Sequence, residues 1–207
     1  MSEQTRQHPG INLSHARPQD SRHAEVTVFG FWTFLMSDAI LFALLFATYA
    51  TMVNRTAGGP TGPELFDITN AFVETMVLLV SSFTFGMSAV ALKEGRGGAV
   101  RLWLGITLAL GLCFVALELR EFASLVGQGA TAQTSGFLSS FYVLLSMHGL
   151  HVLAGCLWIA VMLIQLSLFG LSRRVRSRIL RLGLFWHFLD LVWIVIFTVV
   201  YLPAVTA

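Results

Sequence analysis

The stretch G-F-L-S-S-F-Y-V-L-L-S-M-H-G-L-H-V-L-A-G-C-L-W-I-A-V-M-L-I-Q-L-S-L, Gly136 to Leu168, contains no Lys, Arg, Asp or Glu. Crossing a bilayer as a helix takes about 20 mostly apolar residues, because every backbone N–H and C=O must find its partner within the segment. This run exceeds that length, so as a helix it needs tilt or a protruding end. Working outward from it, four more segments meet the requirement, giving five predicted spans at about 28–53, 68–92, 100–126, 136–168 and 179–202. Polar or Gly/Pro-bearing breaks separate them. The expected fold is therefore an all-α polytopic bundle of five transmembrane helices, preceded by a polar tail over 1–27.

Composition agrees with that reading. Of 207 residues, 56% are hydrophobic and only 12% charged, where a soluble domain carries about 25% charged residues. With a mean hydropathy of +0.75 and 17 Phe, 5 Trp and 3 Tyr, the chain is neither disordered nor a water-soluble domain. Thirteen basic and eleven acidic residues leave +2, which gives no sign of a nucleic-acid partner. Cys113 and Cys156 lie in apolar stretches without C-x-x-C spacing and read as small core residues. The tail lacks the short apolar core of a cleavable signal peptide, so span 1 is expected to stay attached. Its histidines, His8, His15 and His23, are scattered as solvated residues usually are, and metal binding there is the weaker reading.

Lys and Arg set the orientation. One side collects Arg6, Arg17, Arg22, Lys93, Arg96, Arg173, Arg174, Arg176, Arg178 and Arg181, and the other has Arg55 alone. The tail and the even-numbered connections are expected in the cytoplasm. The loops over 54–67 and 127–135 and the C-terminus are expected outside. No internal repeat is visible, so an inverted-repeat transporter has little support.

Ionisable groups inside spans are costly and normally face a partner, so each is a candidate. Asp38 lies about mid-way along span 1, and its carboxyl could take up and release protons or simply bond another helix. Ala39, Ala43 and Ala47 form a stripe of small residues that suits close helix packing. Glu118, Arg120 and Glu121 cluster toward the outer end of span 3, with Glu74 at similar depth in span 2. A structural ion network is favoured, with Arg120 either snorkelling to the interface or pairing with Glu74. His148 and His151 share a face of span 4, and His187 and Asp190 share a face of span 5. Counted from the cytoplasmic connection at about 1.5 Å per residue, His187 is roughly 14 Å deep and His151 roughly 25 Å. That mismatch disfavours a bridging haem. Asp190 is the better match for His151, and hydrogen bonding between helices is favoured over metal ligation.

Four stretches, F-W-T-F-L-M-S-D-A-I-L-F around Asp38, A-L-E-L-R-E-F around Glu118, S-M-H-G-L-H-V from Ser146 and F-W-H-F-L-D-L-V-W from Phe185, resemble subunit III of the haem-copper respiratory oxidases, in that family's order. The likeness covers about residues 28 to 203. Five spans and the loop N-R-T-A-G-G-P-T-G from Asn54 resemble the cytochrome bo type ubiquinol oxidase branch in particular. The resemblance implies an accessory subunit of the respiratory chain without a catalytic centre of its own. Haems, copper and the quinol site would then belong to the catalytic partner, subunit I, in a proton-pumping complex of the bacterial inner membrane. It also implies a V-shaped arrangement, spans 1 and 2 apart from spans 3 to 5, with bound phospholipid in the cleft and Trp32, Trp186 and Trp193 as candidate lining residues. Asp38 falls where much of the family has a glutamate associated with sustained proton uptake, and it is one methylene shorter. The same fold in a cytochrome c oxidase or a nitric oxide reductase-associated complex is the alternative, and a small proton-coupled transporter using Asp38, His148, His151 and Asp190 is the remote one.

Overall fold

The computed structural model of the chain describes residues 18–58 and 62–203. They form α1 (Pro18–Met52), the single turn α2 (Gly62–Leu65), α3 (Ile68–Lys93), α4 (Gly97–Gly127), α5 (Gly136–Phe169), α6 (Arg173–Ile196) and a closing π-helical turn (Phe197–Tyr201). No strand occurs among the described residues. Five helices are long and apolar enough to cross a membrane, and α1, α3, α4, α5 and α6 with its π turn are spans 1 to 5.

Two boundaries differ from the sequence reading. Backbone helix begins at Pro18, inside the expected tail, at a residue whose fixed φ and missing N–H suit a first helical turn. The fifth helix begins at Arg173, not near 179, because the Ser172 hydroxyl accepts the Val175 N–H at 3.4 Å and caps an extra turn and a half of arginine-rich helix. Arg178 on that extension donates to the Gln165 side chain at 2.7 Å, joining α6 to α5. The tail residues His8 and His15, and the side chain of His23, lie outside the described residues.

Two compact units divide the chain, 1–39 and 40–207. In the first, the described part is the N-terminal stretch of α1, whose Phe29, Trp32, Phe34 and Met36 are exposed. In the second, α3 packs along α4, α4 on α5, α5 on α6, and α6 back on α3, which closes a ring of four helices. Span 2 is bound into the bundle by buried polar contacts, one being the 2.8 Å hydrogen bond between the Thr84 and Thr107 hydroxyls of α3 and α4.

The ring is filled from α6. Trp186 is fully buried, and Gly111 on α4 and Gly155 on α5 make room for its indole. A Cβ at Gly111 would stand 2.7 Å from one ring carbon, and a Cβ at Gly155 3.0 Å from another. Without a hydrophobic drive between helices in lipid, such close packing and a few hydrogen bonds hold the bundle. Both are present, since the indole N–H also reaches the Ser81 hydroxyl of α3 at 3.1 Å.

Candidate functional site

The polar residues inside the spans sort into an aromatic and histidine layer at mid-bundle and a carboxyl group at one end. At mid-bundle Trp193, seven residues after Trp186, donates its N–H to the Thr75 hydroxyl of α3 at 3.0 Å. Its ring meets Phe114 of α4 edge-on at 4.7 Å and lies 5.3 Å from the His148 ring of α5. Phe114 also meets His148 edge-on at 5.8 Å, and Phe42 of α1 approaches it at 6.3 Å. His148 is thus enclosed by rings, and neither of its nitrogens has a hydrogen-bond partner. Packing among aromatics, not the interhelix hydrogen bonding expected of it, holds this residue.

His151, three residues on, donates Nδ1–H to the Met147 carbonyl one turn back, at 2.7 Å. The expected pairing of His151 with Asp190 is not made. The Asp190 carboxyl instead lies 3.5 Å from His187 Nδ1 on its own helix, and that nitrogen shares a 2.8 Å hydrogen bond with the Ser82 hydroxyl of α3. The α5 pair and the α6 pair therefore serve different neighbours. Among the described residues, no three His, Cys, Asp or Glu side chains are grouped to hold a metal ion.

Trp186 and Trp193, expected along a lipid cleft, are interior side chains whose N–H groups are satisfied by Ser81 and Thr75. A buried indole needs such an acceptor, and Ser81 and Thr75 of α3 supply one each. Trp32 is 51% exposed on α1. Asp38, also on α1, is buried.

Glu74 on α3, Glu118 and Glu121 on α4 and Tyr201 on the π turn form the end group. The Tyr201 hydroxyl lies 3.1 Å from both Glu121 carboxyl oxygens and donates to them. The π turn sets that position: one extra residue in the turn that follows α6 re-aims the phenol. Glu118 points the other way, against α5, where a Cβ at Gly149 would land on its carboxyl group. Glu74 and Glu118 each keep one buried oxygen without a hydrogen-bond partner. Arg120 forms no ion pair with Glu74. The two instead line one polar pocket of about 100 Å³ with Asn70, Glu121 and Ser124.

Tyr201, Thr75 and Ser81 are the working polar residues that the sequence reading passed over. Their signal was present: a hydroxyl within an apolar span is costly unless it bonds, and each of these three does.

Comparison with known proteins follows the same lines. The family described as cytochrome c oxidase subunit III matches residues 21–205. The chain is 50% identical over 176 residues to the cytochrome bo(3) ubiquinol oxidase subunit 3 of Pseudomonas aeruginosa, covering 85% of this chain and 84% of that one. It is 46% identical to the quinol oxidase subunit 3 of Bacillus subtilis, with 88% and 89% covered. It is 43% identical to the cytochrome c oxidase subunit 3 of Bacillus sp. strain PS3, with 84% of each covered. The family match spans nearly all of the five-helix region, and the chain is a multi-pass membrane protein that belongs to the cytochrome c oxidase subunit III family.

Proposed function

We propose that the chain is an accessory subunit of a proton-pumping ubiquinol oxidase of the cytochrome bo type. In this reading it packs against the catalytic subunit I and stabilises it, while the haems, copper and quinol site lie in that partner. The observation that carries the proposal is the naming of the similar relatives: five named for quinol oxidases are 46–50% identical, two named for cytochrome c oxidases 42–43%, and a sixth quinol oxidase subunit 38%. The interior agrees with a supporting role, since its polar groups tie helix to helix.

Three finer features belong to the same reading. The arginine-rich end of α6 and the turn at Lys93 and Arg96 face the cytoplasm, which puts the C-terminus in the periplasm of a bacterial inner membrane. Asp38, a buried carboxyl in span 1, supports proton uptake by the complex. Phospholipid stays bound to the subunit.

Purification of the oxidase through a tag on this chain tests the proposal. Haem-bearing partners should co-purify, and the complex should consume oxygen with ubiquinol but not with reduced cytochrome c. Oxidation of cytochrome c by the purified complex would place the chain in the other branch, and proton-coupled transport by the chain alone in liposomes would contradict the accessory role.

A further inference from the structure

A second cavity, of about 310 Å³, lies between α4 and α5, at the lower end of the range of about 300–1,000 Å³ that small-molecule sites occupy. Its walls are apolar, with Val115, Leu119 and Phe122 from α4 and Leu150 and Leu153 from α5. The Phe122 ring rests against Tyr142 at 5.2 Å, and the Tyr142 hydroxyl donates to the Ala130 carbonyl at 2.8 Å, so this wall is fixed in place. Two polar side chains enter the cavity, Glu118 and Ser146. Glu118 is 3% exposed, and its Oε1 is buried without a hydrogen-bond partner. Its carboxyl lies against Gly149, which also lines the cavity. A buried polar group left unpaired is costly. A ligand that brings one hydrogen bond within an apolar frame removes that cost.

Charge and depth narrow the ligand. No Lys, Arg or His lines this cavity, so a phosphate group there would meet a carboxyl with no cation beside it. Glu118 is nine residues from the end of α4, about 14 Å along the helix. α4 has 31 residues, about 46 Å against a hydrocarbon core of about 30 Å, so with equal overhang each end protrudes by about 8 Å. The carboxyl then stands about 6 Å inside the hydrocarbon, a depth that suits a neutral head group and not a charged one. Beyond the cavity, Leu150, Leu153 and Leu157 are exposed and follow one another at i, i+3 and i+7, an apolar stripe that leads from it across the membrane centre.

We propose that this cavity is a second quinol site, one that holds the ring of a ubiquinol or ubiquinone apart from the catalytic quinol site of the partner. The identity of the quinol rests on the ubiquinol oxidase reading. One ring hydroxyl of the quinol donates to Glu118 Oε1, the ring lies between Phe122 and Leu150, and the isoprenoid tail follows Leu153 and Leu157. The quinone form offers a carbonyl to the carboxylic acid form of Glu118, so one side chain serves both redox states. No bond is made or broken here. The site stores a quinol beside the complex, at the depth where quinol moves within the membrane.

The test is photolabelling of the intact oxidase complex, freed of its own quinone in detergent, with a ubiquinone analogue that carries an azide on the ring and a decyl tail, followed by mass mapping of the labelled peptides. Label on this chain should fall on α4 and α5 around Leu119 and Leu150. Decylubiquinol should compete for it, while decanol and phosphatidylglycerol at the same concentration should not. Glu118→Val, which removes the acceptor, should weaken binding about tenfold or more, the loss of one hydrogen bond to a charged group. Leu150→Trp, at an exposed position, should block entry and decides the matter if Glu118→Val fails to assemble. Label confined to the catalytic subunit or to other helices of this chain, equal competition by decanol or phosphatidylglycerol, or unchanged labelling in either assembled variant would overturn the assignment. Oxygen uptake with ubiquinol is scored in the same sample. Uptake without label on this chain counts against this site alone, and no uptake with ubiquinol counts against the oxidase reading.

Discussion

The Trp193 indole N–H donates to the Thr75 hydroxyl at 3.0 Å, and this bond joins the last span to the second across the interior of the bundle. Thr75 in turn donates to the Ala71 carbonyl at 2.8 Å, so its oxygen is oriented to accept. Trp193→Phe keeps an aromatic ring against Phe114 but removes the donor. The expected interaction energy from a double-mutant cycle with Thr75→Val is about 0.6 kcal/mol and at most about 1.7, the range for hydrogen bonds between membrane helices. Equilibrium unfolding in mixed micelles measures it, and strictly additive single losses would refute the bond's contribution.

Gly111 and Gly155 flank Trp186, and the first leaves no space for a methyl group. Gly111→Ala should destabilise the chain by about 1–3 kcal/mol through overpacking. Gly86→Ala serves as the control, because nothing lies within 4 Å of a Cβ there. The same unfolding assay should separate the two variants, with the control stable or slightly stabilised by the better helix propensity of alanine.

Gly149 lets the Glu118 carboxyl lie against the backbone of α5. Gly149→Ala should therefore lower the thermal midpoint of the purified chain, and Glu118→Ala in the same chain should restore much of it, since the colliding group is then gone. Absence of any rescue would mean that Gly149 is required for a different contact.

Tyr201 is the phenol that satisfies Glu121. Tyr201→Phe leaves the ring packed against Phe66 and Phe141 but removes the donor from a partly buried carboxyl, with an expected loss of about 1–3 kcal/mol. Glu121→Gln keeps an acceptor for the hydroxyl and should lose less. Chemical denaturation of both variants gives the order.

The number of spans was legible in the sequence because the length and purity of an apolar run are local properties set by the thickness of the bilayer. The end of α6 was not, because Ser172 caps a turn that carries four arginines within six residues and looks like loop by hydropathy. That earlier start puts Asp190 and His151 at nearly the same depth, yet they do not bond. Side-chain pairing depends on the rotation of each helix as well as its rise, and rotation is set by where Trp186 and Trp193 insert. For the same reason the two tryptophans read as lining residues of a cleft, when their hydroxyl partners on α3 place them in the interior. The carboxyls near the end of the bundle were found because charge in an apolar span is conspicuous. Tyr201 was missed because a single tyrosine in an apolar turn resembles a membrane-interface residue.

The central claim is that this chain sustains a ubiquinol oxidase without carrying its chemistry. Oxygen uptake by the purified complex, followed through many turnovers with ubiquinol, tests it most directly when intact complex is compared with complex lacking this chain. The complex without the chain is expected to keep its haem spectrum and begin turning over, then to lose activity sooner than the intact enzyme, with Asp38→Asn showing the same early loss in an assembled complex. Activity and stability equal to the intact enzyme throughout, or loss of the haems together with this chain, would contradict it.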